Sequence, residues 1–64
     1  MSKKDYIKIA AIFAGDLATA RRTEKEKVRG IILSFADYCK QDNSRFNRGE
    51  FYLACGLSPA GYLS

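Results

Sequence analysis

Hydrophobic residues recur every three or four positions along most of the chain, which is the spacing of amphipathic helices. In the first such segment, at about residues 3–21, one stripe consists of Tyr6, Ile9, Ala10, Phe13, Leu17 and Ala20. The stripe of the second, at about residues 24–41, consists of Val28, Ile31, Ile32, Phe35, Tyr38 and Cys39. Proline occurs only at position 59, so no proline interrupts either segment. The pattern predicts an all-α fold.

Capping signals mark the starts of the first two helices. Ser2 can cap the first helix, and Asp5 in its first turn favours the positive end of the helix dipole. Thr23 and Glu26 have the three-residue spacing of a capping box, so we expect the second helix to begin just after Thr23.

The third helix, at about residues 48–55, has the most complete set of signals. Asn47 and Glu50 form a second capping box. The other signals are those of a hydrophobic staple and of a left-handed C-terminal glycine, namely Phe46, Phe51 and Gly56. We therefore predict a small three-helix bundle in a single domain, residues 1–64, with a short tail after Leu57.

Composition limits the chemistry that this chain can perform. The chain has 64 residues, and its 11 Lys and Arg against 7 Asp and Glu give a net charge of +4. It contains no histidine, which excludes His-based triads, His-ligated zinc and histidine pH switches. Its five glycines form no phosphate-binding loop, and the 42–47 turn lacks the ligand spacing of an EF-hand. We therefore expect neither catalysis nor a metal or cofactor.

The two cysteines and the apolar runs of the chain indicate the cellular compartment of the protein. Cys39 and Cys55 form no C-x-x-C pair, so we expect buried, reduced thiols in a cytosolic protein, with a disulfide as the alternative. Lys8 interrupts the apolar run near the N-terminus, which argues against a signal peptide. No apolar stretch reaches 18 residues, so we expect no membrane span and a cytoplasmic protein.

Apolar residues outside the core stripes predict a protein interface. Ile12 lies between charged neighbours on the first helix, and Leu33 lies about 160° from the centre of the second stripe. The first helix is apolar over more than half of its circumference, more than a three-helix monomer easily covers. We predict an interaction module that binds a protein, with a homodimer as one form. Its candidate interface residues are Ile12, Leu33, Tyr62 and Leu63.

Basic residues support an alternative function. Three arginines surround the junction of the first two helices, and two more lie at the start of the third helix, as in a small helix-turn-helix. A small, non-specific nucleic-acid-binding protein is therefore the alternative. Its candidate phosphate contacts are Arg21, Arg22, Arg29, Arg45 and Arg48.

Both ends of the chain resemble a known group of proteins. The segment Asn43-x-Arg45-Phe46-x-Arg48-x-x-Phe51-x-x-Ala54-Cys55-Gly56-Leu57 resembles the ending of short proteins encoded by tailed phages and prophages. The opening Lys4-Asp5-Tyr6-x-x-Ile9-Ala10 is similar to their start. The resemblance implies a phage protein that acts in the host cytoplasm, and it transfers no activity and no functional residue.

Overall fold

The computed structural model describes residues 2–63 and contains three α-helices in this part of the chain. They are α1 (Lys3–Thr19), α2 (Lys25–Asp42) and α3 (Arg48–Cys55). The short helix α3 packs against both longer helices, and more extensively against α1. The predicted all-α three-helix fold is confirmed. None of the helices within residues 2–63 combines the length and the apolar character needed to cross a membrane.

Phe51 joins the three helices in one aromatic cluster. Its ring centroid lies 6.3 Å from that of Phe13 on α1 and 5.7 Å from that of Phe35 on α2. Phe46 lies 5.5 Å from Phe51, which confirms the predicted staple. The buried core around this cluster consists of Ala10, Leu17, Ile32, Ala36, Cys39, Phe46, Phe51, Tyr52, Cys55 and Leu57.

Local signals determine both ends of α3. The Asn47 side chain accepts a hydrogen bond from the Glu50 amide at 3.1 Å, as expected of an N-cap. The predicted capping box is only half formed, because among the described residues the Glu50 carboxylate accepts no hydrogen bond from the Asn47 amide. At the other end Gly56 adopts a left-handed conformation with φ of 94°. The amide of Leu57 then donates to the carbonyl of Tyr52 at 2.9 Å, which is the Schellman closure of a helix end.

The start of α1 agrees with the prediction from the sequence, whereas the cap predicted for α2 does not. Ser2 is at the predicted N-cap position of α1, and the Asp5 carboxylate accepts a hydrogen bond from the Ser2 amide at 3.0 Å, which lowers the pKa of Asp5. The predicted capping box at Thr23 is wrong, because α2 begins at Lys25. The carbonyl of Arg21 accepts from the Lys25 amide at 3.1 Å, so the connection already turns helically before α2 starts.

The core-facing side of α2 also differs from the predicted stripe. Ile31 and Tyr38 are exposed, whereas Ala36 is fully buried. Leu33 was expected to face solvent, but it is half-buried and packs against the core. The reason is that the C-terminal segment covers this flank of α2: a Cβ atom built on Gly61 would lie only 2.8 Å from the Cδ2 of Leu33.

The C-terminal segment after α3 is folded onto the bundle. The Ser58 amide donates to the carbonyl of Tyr62 at 2.8 Å, and the Gly61 amide donates to the carbonyl of Ser58 at 2.9 Å. Gly61 has φ of 86° and is buried. Arg29 on α2 donates from its Nε to the Gly61 carbonyl. The predicted tail is therefore an ordered loop attached to α2.

Candidate protein-interaction surfaces

Three large apolar side chains are exposed on the side of the α1–α2 pair that lies away from α3. They are Ile12 on α1, which is 64% exposed, and Ile31 and Tyr38 on α2, which are 52% and 62% exposed. We call these three residues the outer face. A single exposed aliphatic residue is ordinary, whereas three on one side of a 64-residue chain form a candidate interaction surface.

Helix geometry places the two α2 residues of the outer face together. Phe35 marks the flank of α2 that meets α1, because its ring lies 5.8 Å from that of Phe13. At about 100° per residue, Ile31 and Tyr38 lie about 40° and 60° beyond Phe35 on that flank. Leu33 lies on the opposite flank, where the C-terminal segment covers it.

On α1 the same reasoning separates Ile12 from the side that meets α3. Ile7 lines a cavity between α1 and α3, and Ile12 is about 140° from Ile7 around the helix. The half-buried Ile9 is about 60° from Ile12 and packs against the core cluster. Ile12 therefore lies on the outer side of α1, away from α3.

The structure does not bring the four predicted interface residues into one patch. Ile12 belongs to the outer face, whereas Leu33 is half-buried beneath the C-terminal segment. Tyr62 is exposed, and the guanidinium carbon of Arg29 lies 5.2 Å from its ring centroid. Leu63 is 37% exposed and lines a shallow depression of about 510 Å³ at the end of α1.

A second apolar surface is a cavity of about 300 Å³ between α1, α3 and the turn that precedes α3. Six side chains form its apolar wall, namely Tyr6, Ile7, Ala10, Phe46, Phe51 and Ala54. The polar residues around it are Lys3, Asn43, Arg45, Asn47 and Glu50. We call this cavity the α1–α3 pocket.

Two of the five predicted phosphate contacts are engaged within the chain. The Nη1 of Arg29 lies 2.7 Å from Oε1 of Glu26, and only a fifth of the Arg29 side chain is exposed. The Nη2 of Arg48 lies 3.0 Å from Oδ1 of Asp37. The first pair lies within α2 and the second joins α3 to α2, and each places a carboxylate beside the guanidinium group that a phosphate would have to displace.

The other three predicted contacts lie at opposite ends of α2. Arg21 and Arg22 are exposed at the junction of α1 and α2, whereas Arg45 is exposed in the turn after α2. The 18 residues of α2 separate the two groups by about 27 Å. The structure therefore does not join the two basic groups into one short surface.

Both cysteines are free thiols inside the core, as predicted. Burial raises the pKa of the Cys55 thiol to about 11, and it raises the pKa of Cys39 as well, with a smaller contribution from Asp42. Because the thiolate is the reactive form, neither residue is suited to act as a nucleophile at neutral pH. Within residues 2–63 no three Cys, Asp or Glu side chains cluster closely enough to hold a metal ion.

Sequence reasoning did not identify Ile31, Tyr38 or the α1–α3 pocket. Ile31 and Tyr38 lie at the edge of the apolar stripe of α2, and this stripe is broader than the side of α2 that is buried. A narrower stripe centred on Ile32, Ala36 and Cys39 would have placed both on the surface. The pocket has no sequence signal, because its walls come from segments that are about 40 residues apart.

Comparison with known proteins gives no further indication of function. No protein-family model, no curated protein and no solved structure matches the chain.

Proposed function

We propose that this chain is a non-enzymatic interaction module that binds protein through the outer face formed by Ile12, Ile31 and Tyr38. The observation that carries the proposal is the exposure of these three large apolar side chains on one side of α1 and α2. In contrast, two of the five arginines available for nucleic acid form ion pairs within the fold.

A second copy of the chain is the simplest occupant of the outer face. The accessible surface of the chain is 4527 Å², whereas a compact monomer of 7.2 kDa is expected to expose about 4,100 Å². A standard dimer interface removes about 800 Å² from each partner. The excess of about 400 Å² is about half of that area, so burying the outer face against another copy would more than remove it.

The setting that we propose is a phage-infected or lysogenic cell. It rests on the resemblance of both ends of the chain to short tailed-phage and prophage proteins, and it places the module in the host cytoplasm. The partner, besides a second copy, is then a host or phage protein.

Affinity capture with matched variants tests whether the partner is a protein. The chain is used as bait in nuclease-treated and untreated host lysates, beside the variants Tyr38→Lys and Leu53→Lys. Leu53 is the control, because it is 56% exposed but lies on α3, away from the outer face. We expect nuclease-resistant capture that Tyr38→Lys abolishes and Leu53→Lys preserves. Capture that nuclease removes would favour the nucleic-acid alternative.

A further inference from the structure

The α1–α3 pocket is an apolar site that the chain leaves open to solvent. Ile7 belongs to its wall and is nevertheless 57% exposed. Tyr6 and Phe46 meet edge to face at 4.8 Å on another side, and both pack within the core cluster. The aromatic part of the wall is therefore held by packing, and nothing within residues 2–63 fills the space of about 300 Å³.

The rim of the pocket is positively charged. Lys3 and Arg45 line it, and neither forms an ion pair with the residues that the structure describes. Glu50 is the one acidic residue in the lining. The net charge of the lining is therefore +1, from Lys3 and Arg45 against Glu50.

We propose that the α1–α3 pocket receives one large apolar side chain from an acidic segment of a partner protein. This inference rests on the proposed function, because it gives the module a second contact and names the chemistry of its partner. The two cations on the rim favour an acidic partner, because carboxylates on either side of the inserted side chain would lie close to Lys3 and Arg45.

The size of the pocket determines what can enter it. Ligand sites in proteins usually range from about 300 to 1,000 Å³, so this pocket is at the lower limit. It accommodates a single aromatic or branched aliphatic side chain rather than a larger cofactor. Pockets of this kind hold the anchor residues that contribute most of the binding energy at protein interfaces.

A duplex nucleic acid is a poorer occupant than an acidic peptide. Its phosphates would engage Lys3 and Arg45, but its bases are stacked inside the helix and would leave the apolar wall uncovered. The wall is the larger part of the site, and only an apolar group gains free energy by covering it.

A peptide titration followed by amide NMR signals of the whole chain tests this proposal. The probe is a five-residue peptide, blocked at both ends, with one phenylalanine between two pairs of aspartates. In one control peptide alanine replaces the phenylalanine, and in another asparagines replace the aspartates. We expect the probe to shift the signals of Ile7, Ala10 and Ala54, and both controls to bind at least about fivefold more weakly.

Two matched pairs of variants locate the binding. Ala54→Trp places an indole ring in the pocket. Its control, Leu53→Trp, places the same ring on the exposed side of the same helix. Arg45→Glu reverses a charge at the rim, and Arg21→Glu makes the same change at the far end of α2. We expect each pocket variant to weaken probe binding at least about fivefold, and each control to change it by less than twofold.

The proposal is overturned if the probe shifts signals all over the surface, or if the uncharged peptide binds equally well. It is also overturned if Arg45→Glu and Arg21→Glu have the same effect, a comparison that stands even if Ala54→Trp disturbs the fold. These results are distinguishable from failure of the proposed function, because capture through the outer face depends on Tyr38, which lies outside the pocket.

Discussion

The Nε of Arg29 donates a hydrogen bond to the carbonyl oxygen of Gly61, a residue 32 positions further along the chain. The same guanidinium group pairs with Glu26 and lies 5.2 Å from the centroid of the Tyr62 ring. Arg29 therefore attaches the C-terminal loop to α2 by two contacts, while its ion pair with Glu26 holds the guanidinium group within α2. In this position the loop covers Leu33 and determines which side of α2 faces the core.

Replacing Gly61 should loosen this attachment. A Cβ atom at Gly61 would lie 2.8 Å from Leu33 and 3.2 Å from Tyr52, and the φ of 86° strains any other residue. We expect Gly61→Ala to destabilise the fold by about 1–3 kcal/mol in urea unfolding. Gly15→Ala is the control: this position is helical, and nothing lies within 4 Å of the added Cβ. The Gly15→Ala control should raise the free energy of unfolding by about 0.5–1 kcal/mol. Equal effects of the two variants would contradict the close packing of Gly61 against Leu33 and Tyr52.

Phe51 should be essential for a cooperative fold, because its ring contacts aromatic side chains from both other helices. Phe→Ala substitutions in a core cost about 3–5 kcal/mol, which is about all the stability that so small a domain has. We expect Phe51→Ala to abolish the cooperative thermal transition, whereas Leu53→Ala should shift stability by less than about 0.5 kcal/mol. An unchanged midpoint for Phe51→Ala would disprove this role.

Stability should fall in alkali because of the buried Cys55 thiol. Its pKa is raised from the usual 9.0 to about 11, so the folded state holds the proton more tightly than the unfolded chain does. The contribution is complete below pH 9 and is lost as the pH rises towards 11, on the order of 2–3 kcal/mol. Urea unfolding at pH 8–11 should show a smaller loss for Cys55→Ala than for the wild type. Parallel losses in the two proteins would refute the assignment to Cys55.

The parts of the fold that sequence could predict are those that depend on near neighbours. The cap at Asn47, the staple at Phe46 and the glycine at Gly56 each act within five residues, and all three are found in the structure. The rotation of α2 was not predictable in this way. It depends on a contact between Leu33 and Gly61, which are 28 positions apart.

The same distinction applies to the candidate surfaces. The exposure of Ile12 was evident from its charged neighbours on α1. The exposure of Ile31 and Tyr38 was not, because both continue the apolar pattern of α2 and only the rotation of that helix places them outside.

Any binding to nucleic acid should be non-specific and dependent on salt, but less steeply than five phosphate contacts would make it. Arg29 and Arg48 are paired within the chain, which leaves three of the five arginines for phosphates. Three contacts give a log–log salt slope of about −2.7 on duplex DNA, whereas five would give about −4.5. Fluorescence anisotropy with unrelated duplexes across a salt series measures this slope. A strong preference for one sequence that survives physiological salt would instead support a helix-turn-helix function.

Sedimentation equilibrium tests most directly whether the outer face is a protein-binding surface. The wild type is measured at tens of micromolar beside Tyr38→Lys and the control Leu53→Lys, whose substituted side chains are about equally exposed in the monomer. We expect a mass above 7.2 kDa for the wild type and for Leu53→Lys, and a monomer for Tyr38→Lys. A wild type that remains at 7.2 kDa, or a Tyr38→Lys variant that associates as the wild type does, would contradict the account.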